Sequence, residues 1–247
     1  MPLHRFYCNP ISEPSVELAG TEAHHLASVL RLKAGDKVEL FDGAGMVATA
    51  AITKIIKRKV TLQIEQVHRY PPRTTGRIII APGIAKGQRF DWLIEKCTEL
   101  KTDRISPVLF ERGVKQAANP KILERWKNLV ISAAKQSRRI FLTRIDEPAP
   151  LCDVLEMLRR EYPQIQLIVG SLTPDAAPLT SQLFGQTDVA AFIGPEGGFT
   201  ENETALLKDR GAKFVHLTET VLRTETAALA FASVLCALRN VFPKQTA

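Results

Sequence analysis

A chain of 247 residues with 45% hydrophobic content can bury one large core or two modest ones, which excludes a disordered or fibrous protein. The formal net charge of +7 points toward an anionic partner without requiring one. Cys8, Cys97, Cys152 and Cys236 are scattered and show no Cys-x-x-Cys or Cys/His ligand spacing, so neither a disulfide framework nor a metal site is expected. Met1-Pro2-Leu3-His4-Arg5 lacks the apolar core of a signal peptide, and no apolar run approaches the ~20 residues that span a bilayer. The expectation is a cytoplasmic protein without a membrane partner.

Residues 1–70 read mostly as strand. Residues 37–41 alternate, Asp42-Gly43-Ala44-Gly45 is a turn, and 46–55 and 59–67 are rich in β-branched residues, with Lys57-Arg58 turning between them. One short helix is expected from Thr21 as N-cap to about Leu32, with Leu26, Val29 and Leu30 inward and Gly35 beyond its end. Short strands at this spacing suggest a small barrel. Tyr70-Pro71-Pro72-Arg73-Thr74-Thr75-Gly76 is the best linker candidate.

After that linker, strand and helix alternate. Strands are expected at 77–81, 105–109, 140–145 and 166–169, and helices at 90–100, 120–134 and 151–160, with Asn119 capping the second helix and Pro120 at its first position. Such alternation means a parallel sheet covered by helices. Trp92 and Trp126 lie on these helices and suit core or interface packing better than base stacking. The basic surplus concentrates in Arg112, Lys115, Lys121, Arg125, Lys127, Lys135, Arg138, Arg139 and Arg144, with Glu124 the only acid among them. That is either the footprint of a phosphate-backbone binder or a solvated helix face.

Two further strands, 188–193 and 213–217, run into loops. The first loop is Ile193-Gly194-Pro195-Glu196-Gly197-Gly198-Phe199, and the second is Val221-Leu222-Arg223-Thr224-Glu225-Thr226-Ala227-Ala228. Three glycines and a proline oppose helix and strand alike. After the first loop, Thr200-x-x-Glu203 is a capping box opening a helix that stops at Gly211; after the second, 227–242 is an apolar helix. One glycine-rich loop can be a plain turn. Two at corresponding strand ends point to a ligand site, because open α/β sheets bind ligands at that edge.

Taken together, Gly194–Phe199 and Val221–Ala227 resemble the signature loops of the RsmE family, SPOUT-class enzymes that methylate N3 of a uridine in small-subunit ribosomal RNA. The resemblance spans nearly the whole chain. Arg5-Phe6-Tyr7, His24-His25, Val29-Leu30-Arg31, Gly35-Asp36 and Phe41-Asp42-Gly43 are similar to that family's PUA-like RNA-binding barrel. Lys86-Gly87, Glu95 to Leu100, and Arg125-Trp126 leading to Ala133-Ala134-Lys135-Gln136-Ser137-Arg138 are similar to its catalytic domain. The resemblance implies an α/β fold: a PUA-like β-barrel at 1–72 and a SPOUT domain at 76–247 with a parallel sheet and a trefoil knot. It also implies S-adenosyl-L-methionine as cofactor, a homodimer, and small-subunit ribosomal RNA or the assembled subunit as partner. Two departures stand out: Leu217-Thr218-Glu219-Thr220 replaces a segment with Gly after the leucine and Arg before the Val-Leu-Arg, and Lys135 replaces an acid.

On this reading Gly194, Pro195, Glu196, Gly197 and Gly198 offer backbone groups to the cofactor. Ile193, Leu217, Val221 and Leu222 wall its adenine, Val169 and Gly170 complete the pocket, and Thr224 and Ala227 close it. Glu196 is expected mainly to hold its own loop. Arg223 is the candidate catalytic residue, stabilising the anionic oxygens of a deprotonated uracil. Glu225 either orients Arg223, accepts the proton, or simply favours the helix N-terminus. Arg5, Arg31 and Lys86 are expected at phosphate. Gln136, Arg138 and Arg139 either cap a helix or meet RNA, whereas His24 and His25 are expected to be structural. A related enzyme acting on a ribose 2′-hydroxyl or on transfer RNA, and a non-catalytic RNA-binding protein, remain as alternatives.

Overall fold

The computed structural model describes residues 3–57, 59–114, 119–182 and 184–241. Met1 and Pro2, Arg58 of the expected turn, Lys115 of the basic stretch and Phe242 of the last expected helix lie outside them. Two compact units emerge, Met1–Pro72 with Ala134–Leu142, and Arg73–Ala133 with Thr143–Ala247. Among the described residues no helix is long and apolar enough to cross a membrane.

The first unit is a five-stranded sheet. Its strands are β1 (His4–Tyr7), β2 (Ser15–Ala19), β3 (Lys37–Phe41), β4 (Met46–Ile56) and β5 (Lys59–Arg69), in the order β1-β3-β4-β5-β2. Only the β1–β3 pair is parallel. Alternate residues of each strand turn inward, so Phe6, Val16, Leu18, Val38, Leu40, Ala48, Ala50, Ile52, Val60 and Leu62 make one core. Helix α1 (Gly20–His24) leaves β2 directly and runs on as a π-helical turn, His25–Val29. It therefore starts before Thr21, with Ala19 at the N-cap and no side-chain cap. It also stops short of Leu32, because Arg31 takes the left-handed conformation (φ 55°). The wider π-turn swings Val29 to the surface, while Leu26 stays buried.

The second unit contains β6 (Ile78–Pro82), α2 (Gln88–Glu99), β7 (Arg104–Ile105), β8 (Val108–Leu109), β9 (Arg144–Ile145), β10 (Ala149–Pro150), α4 (Leu151–Glu161), β11 (Gln166–Gly170), β12 (Ala177–Pro178), β13 (Val189–Ile193), α5 (Glu201–Asp209), β14 (Lys213–His216) and α6 (Thr224–Val241). Helix α3 (Pro120–Gln136) begins in it. Seven strands form a parallel sheet in the order β12-β14-β11-β13-β6-β7-β9. The strand expected at 105–109 is broken: β7 joins the main sheet, whereas β8 pairs with β10 in a small separate one. Pro107, lacking an N–H, interrupts the ladder between them. The strand expected at 140–145 shrinks to β9, and Leu142 instead donates its N–H to Gly43 in the first unit.

The end of α3 explains Arg138 and Arg139. Arg138 sits in the left-handed conformation (φ 55°), and the N–H groups of Arg138 and Arg139 return to the carbonyls of Lys135 and Ala134. This is the helix-terminating pattern usually built with glycine. In the same unit Lys135 pairs with Glu22 at 2.7 Å and lies over the Phe6 ring. It is thus neutralised by an internal partner and adds nothing to a basic surface. Burial, with Lys135 nearby, lowers the pKa of His25 below the usual histidine value, leaving a neutral ring beside Phe6 at pH 7.

Candidate functional site

Four parallel strands, β14, β11, β13 and β6, lie side by side and end together. Their register pairs Gly170 with Val215, Val169 with Phe192 and Ile193 with Pro82. The two signature loops leave from this one edge. Their contact is direct: the Thr224 hydroxyl donates to the Gly194 carbonyl at 3.0 Å, and Thr224 is buried. The last helix begins at Thr224 rather than at Ala227, so Thr224, Glu225 and Ala227 belong to its first turn and only Val221 to Arg223 precede it.

The glycine-rich loop is a turn closed by the Gly198 N–H on the Pro195 carbonyl at 2.9 Å, with Gly198 at φ +69°. Gly197 is favoured for a different reason. A Cβ there would stand 3.0 Å from Arg112 Cβ, and Arg112 Nη1 reaches the carbonyls of Gly197 and Phe199. The loop is anchored again at its far end. Glu203 completes the expected capping box with Thr200 and accepts the Glu111 N–H at 2.8 Å, tying the 111–113 segment to the start of α5.

Arg89, absent from the expected site residues, joins the loops. Its guanidinium contacts Glu196 Oε1 and lies 3.9 Å from Glu225 Oε1. Glu196 therefore reaches across to α2 instead of folding back on its own turn. The available signal was a cation in the first turn of a helix, where the dipole disfavours it unless carboxylates face it. Glu225 is 6% exposed, and its Oε2 is buried with no hydrogen-bond partner among the described residues. Arg223 is exposed and, among the described residues, forms no ion pair with Glu225 or any other carboxylate.

Two clefts border these residues. One, of about 650 Å³, is lined by Gln88, Arg89, Trp92, Leu222, Arg223 and Glu225; the other, of about 420 Å³, by Ala85, Lys86, Arg112, Pro195, Gly197 and Thr224. Both sizes suit a nucleoside-sized ligand. Ile193 is buried, Gly170, Gly194, Pro195, Leu217, Leu222 and Ala227 are half-buried, and Val221 is 89% exposed. Val169 spends its side chain in the core beneath the sheet and can face a ligand only through its backbone. In the segment 217–220, Thr218 Oγ1 accepts the Thr220 N–H at 2.8 Å, so a hydroxyl locks the turn.

The expected RNA contacts separate by exposure. Lys86, Gln136, Arg138 and Arg31 are exposed. Arg5 is buried, paired with Glu39 and stacked over Phe41, and Arg139 is buried with Nε on the Phe141 carbonyl, so both pack inside the first unit. Arg138 is half-committed, donating to the Leu3 carbonyl. Trp126 packs on Phe90, whereas Trp92 is 45% exposed at the larger cleft. Burial pushes the Cys97 thiol up to about 12, which removes it as a nucleophile. Among the described residues no group of three or more His, Cys, Asp or Glu is placed to hold a metal ion.

A parallel sheet whose glycine-rich edge loops interlock, joined to a small β-unit, defines a class, and sequence comparison agrees on which. Residues 72–236 match the family described as RNA methyltransferase domain, and residues 18–65 match the RNA methyltransferase PUA domain. The architecture is thus a SPOUT-class α/β methyltransferase domain with a PUA-like N-terminal unit. The ribosomal RNA small subunit methyltransferase E of Synechocystis is 31% identical over 223 residues, covering 88% of this chain and 71% of the relative. The corresponding enzyme of Neisseria gonorrhoeae, solved bound to S-adenosyl methionine, superposes with a TM-score of 0.84 at 29% identity, over 99% of this chain and 100% of that one. A Legionella pneumophila protein solved with the cofactor SAM gives the same TM-score at 30% identity, over 96% and 98%. The chain belongs to the ribosomal RNA small subunit methyltransferase E family.

Proposed function

We propose that this protein methylates N3 of a uridine in small-subunit ribosomal RNA, using S-adenosylmethionine held between the two interlocked loops. The observation that carries the reading is the Thr224–Gly194 hydrogen bond, which places Arg223 and Glu225 on the wall of a cleft beside the glycine-rich turn. The residues present fit such a cofactor. Gly197 leaves exposed backbone at the smaller cleft, and Leu222 at the larger one is an apolar group suited to the face of an adenine. When bound, S-adenosylmethionine supplies a methyl group already activated by its sulfonium. What remains for the chain is alignment and one proton.

Uracil N3 carries that proton and is the atom that pairs, so the target base must be unstacked before it reaches the cleft. Arg223, unpaired and at the cleft wall, is suited to hold the uracil oxygens as negative charge develops on them, through charge-assisted hydrogen bonds. Glu225, at the same cleft wall, offers a carboxylate to receive the N3 proton. Lys86 and Arg31 are suited to phosphate, which positions RNA without reading its sequence. Replacing either with Ala is expected to weaken RNA binding and flatten its dependence on log salt by about one unit each; Arg139→Ala is expected to lower stability and leave the slope alone. Slopes measured by filter binding at several salt concentrations check this.

The same reading makes the working unit a cytoplasmic homodimer acting on ribosomal RNA or the assembled subunit, with sedimentation equilibrium as the test of assembly. The test of the reaction is nucleoside analysis of small-subunit RNA from a strain lacking the gene. Loss of 3-methyluridine, restored by the wild-type gene, is expected. Loss of a ribose 2′-O-methyl nucleoside instead would reassign the target atom.

A further inference from the structure

Arg89 has no part in the steps above, yet it touches both loops that carry them. It is the second residue of α2, where a cation opposes the helix dipole, so its placement there has to be offset by something. The offset is two carboxylates from different parts of the chain. Nη1 contacts Glu196 Oε1, on the glycine-rich turn, and lies 3.9 Å from Glu225 Oε1, in the first turn of α6. The two oxygens of Glu225 are thereby distinguished. Oε1 faces a guanidinium, and Oε2 is buried without a partner among the described residues. The attraction at that distance biases the carboxylate toward one orientation.

We propose that Arg89 is a positioning residue for the methylation: anchored on Glu196 of the glycine-rich turn, its guanidinium sets the orientation of the proton-accepting Glu225 carboxylate. This rests on the reading of Glu225 as the proton acceptor. Arg89 itself touches no reacting atom. A merely structural arginine in the first turn of a helix would affect folding or cofactor affinity, and its effect on turnover would not depend on whether Glu225 is a carboxylate.

The test is a double-mutant cycle on kcat with S-adenosylmethionine and small-subunit RNA, with KM for the cofactor measured alongside. Arg89→Ala is expected to lower kcat by about 100-fold, the usual consequence of a misaimed group. In a Glu225→Gln background the same change is expected to lower kcat by less than about twofold further, since the group it aims is already disabled. Arg89→Lys is expected to recover most of kcat, because it keeps a cation between the two acids. Arg89→Gln, retaining most of the stem, guards against a folding defect in Arg89→Ala and is expected to behave like it. Equal losses with and without the Glu225 carboxylate would overturn the proposal, as would a raised cofactor KM at unchanged kcat. Wild-type kcat in Glu225→Gln alone would sink the proton-acceptor reading itself, and is visible before Arg89 is altered.

Discussion

Arg223→Ala is expected to lower kcat by about 10² to 10³-fold, the range for losing one preorganised donor at a developing oxyanion, while S-adenosylmethionine binds nearly as well as to wild type. The asymmetry follows from where the side chain sits. Arg223 is exposed on the wall of the larger cleft and has no carboxylate partner among the described residues, so removing it leaves no buried charge unpaired. Its backbone carbonyl still accepts the Ala227 N–H, and Thr224 beside it still holds Gly194, so the loop that surrounds the cofactor keeps its shape. Single-turnover methylation with cofactor titration separates the two effects. Turnover retained in Arg223→Ala would remove this residue from the reaction.

The second large effect lies far from chemistry. Arg104 is 1% exposed, donates from Nε to Asp146 at 2.5 Å and from Nη1 to Glu161 at 2.7 Å, and shares both acids with Arg144. Ser106 donates to the same Asp146 oxygen, so the cluster fastens β7, β9 and the end of α4. Arg104→Met is expected to cost about 3 kcal/mol, because only the exposed Arg144 is then left to compensate Asp146 and Glu161. At ~2–4 °C per kcal/mol for a chain of this size, the melting midpoint falls by roughly 10 °C. Adding Asp146→Asn and Glu161→Gln is expected to recover part of that loss, since the surplus negative charge disappears.

The loss also depends on pH. Burial raises the pKa of Glu161, but hydrogen bonding and charge from Arg104, with Arg144, outweigh it and hold the carboxyl below the usual glutamate value. A pKa lower in the folded than in the unfolded state gives stability that is fully present above the unfolded value of about 4.3 and is lost as pH falls through the folded one. The gap between wild type and Arg104→Met is therefore widest at neutral pH and narrows in acid. A gap that stays constant from pH 7 to pH 3 in urea titrations would contradict the charge argument.

Much of the architecture could be read from local pattern. Residues 37–41 alternate and form β3; Thr200 and Glu203 spell a capping box and form one; the alternation after Gly76 gives a parallel sheet. Local pattern could not show that Arg5 and Arg139 are buried, because a basic residue reads as surface until its partner is known, and Lys135 finds Glu22 at a separation of 113 residues. Arg89 escaped for the same reason, its contact with Glu196 being 107 residues away. The break at Pro107 is legible locally, since a proline between two apolar stretches argues against one continuous strand. A trefoil knot is a property of the whole chain path, which no window of sequence encodes; only family resemblance suggested it.

Isothermal titration of the purified protein with S-adenosylmethionine bears most directly on whether the two edge loops form one cradle. One site per chain in the micromolar range is expected. Thr224→Val, which keeps the side-chain shape and deletes the donor to Gly194, is expected to bind about tenfold more weakly, the equivalent of ~1.4 kcal/mol for one lost hydrogen bond. Absence of binding to the wild type, or identical affinity in the variant, would contradict a site built from the joining of those loops.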